Sequence, residues 1–388
     1  MYLFAQHGHG KGDKIDRGLA RGLLSGIILS PRDLAPGAMI GFVHGTRKTH
    51  PNATLLFDPQ VYAVAANPPK LRYLAYYPYF PPTGSQDQVA QTVLQYQLGL
   101  GLDRLISPGF LQTRLNSPAI NAVISSARSS IRAHSRVSDP PPLLVSVIVD
   151  ETPLQDQTAV DDLLNELTAL TVSGFYVVVR RNDDTYPARF EVDVLVNLMY
   201  LVYVLADRNG FEVVCGYSDI VGLLMHAVGA AATGTGWYSN LRQFSLRRFQ
   251  EKQRGGRARA RYTSRPLLNS ILVQPELQAT YIRGTIPVVL SQTPFDGVFA
   301  TGSPGNAVWL APTSCLHHWA VLADLVGRFS SQGSVSSNLD AMEGALEQSS
   351  ALYESLRHLG VPFEVASGPR DCRLHLDAVR RFRGMVGV

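Results

Sequence analysis

Short unbroken apolar runs recur along the first 235 residues, each ending in a polar cluster and most followed by a stretch of helical period. The runs are Leu3–Gln6, Gly26–Leu29, Thr54–Phe57, Arg104–Ile106, Leu143–Val149, Phe175–Val179, Phe211–Cys215 and Ala230–Thr233. The strongest, Leu143–Val149 and Phe175–Val179, are continuous rather than alternating, as expected of parallel strands buried on both faces. Between the runs, helical spacing is read at Lys14–Leu24, Gln86–Leu100, Ala159–Leu170, Val192–Ala206 and Ile220–Val228. Eight strands with intervening helices predict an α/β fold, a (β/α)8 TIM barrel over residues 1–245. An aromatic and Pro-rich insertion at about 67–87 interrupts it and reads as a lid or binding loop. Past an Arg-rich strap at 246–265, residues 266–388 predict a mainly helical C-terminal region. There Leu268–Thr285 pair as short strands, Pro294–Pro312 is loop, and helices follow at Leu316–Phe329, Leu339–His358 and Leu374–Phe382.

Composition narrows the class. With 45% hydrophobic and 17% charged residues in 388, the chain is neither disordered nor a coiled coil. The longest apolar stretch, Val192–Ala206, contains Asp193 and Asn197 and is too short to span a bilayer. No secretory signal is visible at the N-terminus. Cys215, Cys315 and Cys372 lie far apart without a CxxC pair, which argues against a disulfide framework and a cysteine zinc site. A cytoplasmic protein with no membrane partner, metal or cofactor is expected.

Charge is uneven. Between Arg242 and Arg265 nine Lys/Arg face one acid, Glu251, in a chain whose net charge is only +4. Arg247, Arg248, Arg254, Arg257, Arg259 and Arg261 therefore form a cationic strap suited to a nucleic-acid backbone. A solvated linker and a protein-contact segment are the other readings. In the insertion, Tyr73, Tyr76, Tyr77 and Tyr79 could stack bases or simply pack.

Barrel chemistry sits at the carboxyl ends of the strands. That position holds His7, Arg32 with Asp33, Asp58 with Gln60, Asp150 with Glu151, Arg180 with Asp183, Gly216-Tyr217 with Asp219, and Gly234-Thr235-Gly236. Asp58 and Asp150 are candidates for acid–base work, or for capping the helices that follow. His7 and His9 fit a glycine-rich turn better than a metal site, because no third ligand stands at motif spacing. Gly234, Thr235 and Gly236 offer backbone N–H groups after the last strand, a common phosphate position. His317-His318 is expected to pack.

Phe57-Asp58-Pro59-Gln60-Val61-Tyr62 resembles the Asp-Ser-Gly-Gly-Phe-Gln motif of tRNA-guanine transglycosylases. Val149-Asp150-Glu151-Thr152-Pro153 is similar to their Phe-Asp-Glu-Cys-Thr-Pro, and the stretch from Gly216 through Asp219 to Gly229 resembles the segment before their final strand. The order and spacing recur over roughly residues 55–245. The resemblance implies a barrel that exchanges guanine for a 7-deazaguanine in tRNA or, in relatives, DNA. It assigns Asp58 as the acid–base aspartate and Asp150 as the reader of the base edge. Gln60, Glu151, Arg180, Gly216 and Tyr217 would surround the base. Three departures stand out: Arg180 falls near the family's base-contacting glutamine, Gly234 occupies the position of the nucleophilic aspartate, for which Asp58 itself, Asp33, Asp183 or Asp219 are the candidate substitutes, and the zinc motif is missing.

Three functions follow as expectations. The first is a divergent pentosyltransferase-like enzyme acting on guanine in DNA or tRNA. The second is an inactive barrel that binds nucleic acid or a nucleobase within a larger assembly, with a protein partner or second copy at the C-terminal region. The third is an unrelated barrel enzyme for a small phosphorylated substrate.

Overall fold

A computed structural model describes residues 1–388 except 67–70, 72, 73, 75, 76, 78–83, 184, 185, 188, 250–258 and 301. Eight parallel strands form one sheet: β1 Tyr2–Gln6, β2 Gly26–Leu29, β3 Thr54–Phe57, β4 Leu105–Ile106, β5 Leu143–Asp150, β6 Gly174–Arg180, β7 Glu212–Cys215 and β8 Ala232–Thr235. Their order, β3-β2-β1-β8-β7-β6-β5-β4, joins first strand to last, as a barrel requires. The remaining gap lies between β3 and β4. Asp103 spans it: its backbone N–H donates to Leu55 O (3.1 Å) and its carboxylate accepts from Leu55 N (2.6 Å). Arg47 holds the same carboxylate at 2.7 Å.

The helices between strands are α1 Lys14–Ala20, α2 Pro36–Thr49, α3 Gln86–Leu100, α4 Ser117–His134, α5 Gln157–Thr168, α6 Val192–Tyr203 and α7 Gly222–Ala227. Neither α2 nor α4 is expected from spacing. Gly37, Gly41 and Gly45 lower the helix propensity of α2, and serines occupy part of the buried face of α4, including Ser126 and Ser130. Strand β8 begins two residues later than its apolar run suggests. Gly229, at φ +109°, and Ala230 close the turn after α7, and a small-residue segment carries no periodic marker of its own.

The C-terminal region starts with an antiparallel hairpin, β9 Arg261–Ser264 and β10 Asn269–Leu272. Only part of the expected strand region Leu268–Thr285 is extended, because the helical turn Val273–Leu277 and α8 Gln278–Ile282 take up most of the rest. Short helices α9 Ile286–Val289 and α10 Gly297–Ala300 precede the long α11 Ala311–Ser330, α12 Val335–His358 and α13 Arg370–Val386. This region is welded to the barrel. Gly18 of α1 lets Trp319 of α11 come close (a Cβ there would lie 3.1 Å from the indole), and one apolar core runs from Leu3 to Phe382. The strap expected at 246–265 is likewise no linker at its ends. Leu246–Phe249 is a 3-10 turn seated on the barrel mouth, and Arg261–Ser264 is β9.

Candidate active site

Strand register decides which side chains enter the barrel. Gln6, Ile28 and Leu56 are aligned neighbours on β1, β2 and β3, so Ser30 and Asp58, two residues further along their strands, also turn inward. Asp58 is wholly buried. Its Oδ2 accepts from Tyr62 Oη (2.5 Å) and Tyr176 Oη (3.2 Å), and its Oδ1 from Gln60 N (3.0 Å). Burial pushes the Asp58 carboxyl up to about 6, against the pull of these donors and of the Arg248 cation. The same burial, together with the Asp58 charge, raises the Tyr62 and Tyr176 phenols well above their usual value.

A second polar layer lies over this carboxyl. Gln60 donates to Ser30 Oγ (2.9 Å) and Tyr217 Oη (3.2 Å) and accepts from Arg32 N (3.2 Å). Arg248 enters from above. Its guanidinium donates to Asp33 (2.5 Å), Ser30 Oγ (3.2 Å), His7 O (3.2 Å) and the Tyr217 hydroxyl. Arg32 holds the other oxygen of Asp33 at 2.7 Å. Burial opposes ionisation of Asp33, but Arg248 and Arg32 outweigh it and lower its pKa. Phe244 and Phe249 pack against Tyr62 beside this plug (ring centroids 4.9 and 6.2 Å).

Asp150 and Glu151 belong to a different group at the β5–β6 rim. Asp150 pairs with Arg180 and accepts from Thr152 N (3.2 Å). Glu151 pairs with Arg181 and accepts from Asn182 N (2.7 Å). Among the described residues Asp58 and Asp150 share no partner. Tyr176, which holds Asp58, lies four residues before Arg180 on β6, so the two carboxylates sit at different levels. Asp183 is exposed on the following loop.

The loop after β7 separates the barrel interior from a cavity on its outer side. Tyr217 and Asp219 both have left-handed backbones (φ +54° and +46°), as do Gln60 (+53°) and Leu268 (+46°), a concentration of strain typical of functional regions. Tyr217 reaches the Asp58 layer, while Asp219 faces the C-terminal region. Asp219 accepts from Tyr186 Oη (2.8 Å) and Thr235 Oγ1 (3.3 Å), and His318 Nε2 lies 2.8 Å away. Burial opposes ionisation of Asp219, and His318, Arg242 and Tyr186 more than offset it, holding the carboxyl at about 2. Burial and Arg242 push His318 down to about 4, so it packs as a neutral ring, as expected for the His317-His318 pair. Beside this loop is a cavity of about 60 Å³ between β6, β7, α6 and the C-terminal region.

Several expectations need correction. Arg248 is buried in the barrel mouth and ion-paired, so it is not a backbone clamp. Gly234 and Thr235 lie within β8. A Cβ on Gly234 would come 2.8 Å from Ile28 Cδ1 and 3.0 Å from Gln6 Oε1. Gly236 is covered by Leu241 and its carbonyl accepts from Arg242 Nε (2.8 Å), so these glycines form no open phosphate cradle. Gly216 is likewise covered, by the Tyr176 ring. Arg259 forms a two-pronged pair with Glu364 (2.5 and 2.7 Å), and Arg261 donates to Ser270 O (2.6 Å). Arg247 is exposed. Arg254, Arg257, Tyr73, Tyr76 and Tyr79 lie outside the described residues. His7 is buried against Phe42 and Trp237 (5.4 and 6.3 Å). Among the described residues no three His, Cys, Asp or Glu side chains group as a metal site, and no helix is long and apolar enough to cross a membrane.

No family model and no curated protein matches the chain. Among solved structures, similarity is found to dihydrodipicolinate synthase from Oceanobacillus iheyensis (12% identity, TM-score 0.34, 99% of this chain and 96% of that one). A dihydrodipicolinate synthase from Bacillus clausii scores alike (12%, 0.34, 100% and 97%). Pyruvate carboxylase from Rhizobium etli matches at 12% identity and TM-score 0.38, over 93% of this chain and 28% of that one. The barrel assignment rests on this chain's own strand order.

Proposed function

We propose that the protein is a divergent transglycosylase-like enzyme that exchanges or releases guanine in DNA or tRNA, with Asp58 as its acid–base group. The observation that carries the reading is the state of Asp58. It is a fully buried carboxyl at the end of a barrel strand, held by two tyrosines and ionising at about 6. Near neutrality such a group exists in both forms, which suits a proton carrier. In its acid form it delivers a proton to a ring nitrogen of the departing base as the C1′–N9 bond breaks. As carboxylate it takes the ring N–H proton of the incoming base, which bonds to C1′, and the carboxyl returns to its starting form. When water attacks instead, its proton goes to Asp58 and a C1′ hydroxyl remains. With Gly234 in β8, the reading assigns no covalent intermediate, and displacement is direct.

A second reading has its own support. Arg248 fills the mouth above Asp58 and is almost wholly buried in its pair with Asp33. A chamber so occupied fits a barrel that binds nucleic acid without turnover. The deciding experiment offers guanine-containing DNA and tRNA with labelled free base and follows incorporation and release. Asp58→Asn is expected to lower the rate by about 10²–10⁴ with the fold intact. Equal rates in the two proteins would remove Asp58 from the chemistry. Salt-sensitive binding without turnover, lost when Arg254 and Arg257 become alanine, would select the second reading.

A further inference from the structure

Exposed apolar side chains gather on the outer face of the C-terminal region. Among the described residues, six of the thirteen large hydrophobic side chains exposed to solvent fall within residues 281–310. They are Tyr281, Ile282, Val288, Val298, Val308 and Leu310, with exposures from 39% at Val298 to 71% at Val308. Their neighbours explain why they stand outward together. Val289, Phe299 and Trp309 are buried, and each directly follows an exposed valine. These buried anchors share one layer over β9. Trp309 packs beside Phe299 (ring centroids 4.8 Å apart), and both rings pack against Tyr262 (5.9 and 5.5 Å). The Val289 carbonyl accepts from Ser264 Oγ (2.7 Å). Gln278 of α8 ties in the turn Pro304–Asn306, since its Oε1 accepts from Gly305 N and Ser303 Oγ (both 2.6 Å). With the anchors facing β9, the adjoining side chains project from the opposite side of the same layer.

Area and charge restrict what covers this face. The six residues together offer roughly 600 Å² to solvent, the upper end of what a monomer leaves bare and close to the ~800 Å² that one partner gives to a standard interface. Charge is nearly absent. The chain averages 17% charged residues, but 281–310 holds only Arg283 and Asp296. Asp296 is buried, where it accepts from Tyr262 Oη (3.0 Å). Arg283 is the one exposed charge of the stretch, and it packs against the turn after α12: a Cβ on Gly360 would lie 3.3 Å from its Nη2. A charged protein partner calls for opposite charges on such a face, and an anionic lipid surface for a cluster of cations. Aliphatic and aromatic side chains almost without charge are instead the composition of contacts between identical subunits, where a like charge would meet its own copy. We propose that this face is the two-fold contact of a homodimer, in which these six residues pack against the same six of a second copy. The inference does not depend on the chemistry assigned to Asp58.

The test is sedimentation equilibrium of the full chain from about 1 to about 100 µM. The mass is expected to rise with concentration toward twice 42.4 kDa. Each substitution enters a two-fold contact twice, so Ile282→Glu and Val308→Glu should each raise the dissociation constant at least about a hundredfold. Ile40→Glu, at an exposed apolar position on α2 of the barrel, should leave it within about twofold. Near-ultraviolet circular dichroism of each variant shows whether tertiary packing is retained. Ile282 and Val308 lie on separate elements, so one still decides if the other variant fails to fold. Hydrogen exchange within 281–310 should slow as the dimer fills. Three results would overturn the proposal: a chain still monomeric at about 100 µM, a dimer indifferent to both glutamates, or one weakened as much by Ile40→Glu. A monomer that sediments with phosphatidylglycerol vesicles, and loses them in Ile282→Glu, would give the face to a lipid surface and overturn it too.

Discussion

Replacing Asp58 by asparagine should make the protein more stable at alkaline pH and remove a pH dependence that the wild type shows. The carboxyl is 0% exposed and ionises at about 6 in the folded chain, against 3.8 for a free side chain. The folded state therefore holds the proton more tightly than the unfolded one. Stability from this group is fully present below pH 3.8 and is lost as pH rises to about 6. At pH 8 the ionised Asp58 costs the native state about 3 kcal/mol relative to its protonated form. Asparagine carries no charge and keeps one acceptor for Tyr62, but it loses the second acceptor oxygen, a loss of about 1–2 kcal/mol. The net expectation is a gain of about 1–2 kcal/mol at pH 8 and a loss of similar size at pH 4. Urea unfolding of both proteins, followed by tryptophan fluorescence at several pH values, reads the difference directly. Other titrating groups, Asp371 among them, cancel in the comparison. A wild-type-minus-variant difference that stays constant from pH 4 to pH 8 would show that Asp58 ionises normally, and the acid–base reading would lose its support.

Two further outcomes follow from the same layers. Arg248→Met should destabilise by about 1.5–3 kcal/mol, because it removes a charged donor from Asp33 in the barrel mouth and leaves Arg32 on the other oxygen, and adding Asp33→Asn should recover at least about 1 kcal/mol. Strict additivity in urea unfolding would argue against a coupled pair. Gly216→Ala places a methyl 2.8 Å from Tyr176 Cζ, so it should cost about 1–3 kcal/mol and pull the phenol away from Asp58. An unchanged midpoint would mean that the ring has room to move.

The barrel was readable where strands are continuous apolar runs. Gly26–Leu29 and Thr54–Phe57 match their runs residue for residue, because burial on both faces demands unbroken hydrophobicity. It was less readable where small or flexible residues do structural work, as in β8 and in the glycine-spaced α2. At the site, Asp58 was legible from its place after a strong strand. Arg248 was not, since a buried arginine inside a basic run looks like its solvated neighbours. Its flanking Phe244 and Phe249 were the available signal, as apolar anchors on both sides of a cation mark a segment held down. The Arg189–Asp371 ion pair could not be seen in one dimension. It joins positions almost two hundred residues apart, and only the packing of α13 against α6 brings them together.

The seam between β3 and β4 has a mechanical consequence. Seven of the eight joints in this tube are backbone ladders, whereas the eighth is fastened through Asp103 and its grip on Leu55 and Arg47. A cylinder with one buttoned edge opens along that edge first, so early solvent entry and strand fraying concentrate there. Asp58 stands three residues past Leu55, just beyond the end of the same strand, which puts the buried carboxyl next to the hem where the wall is easiest to part.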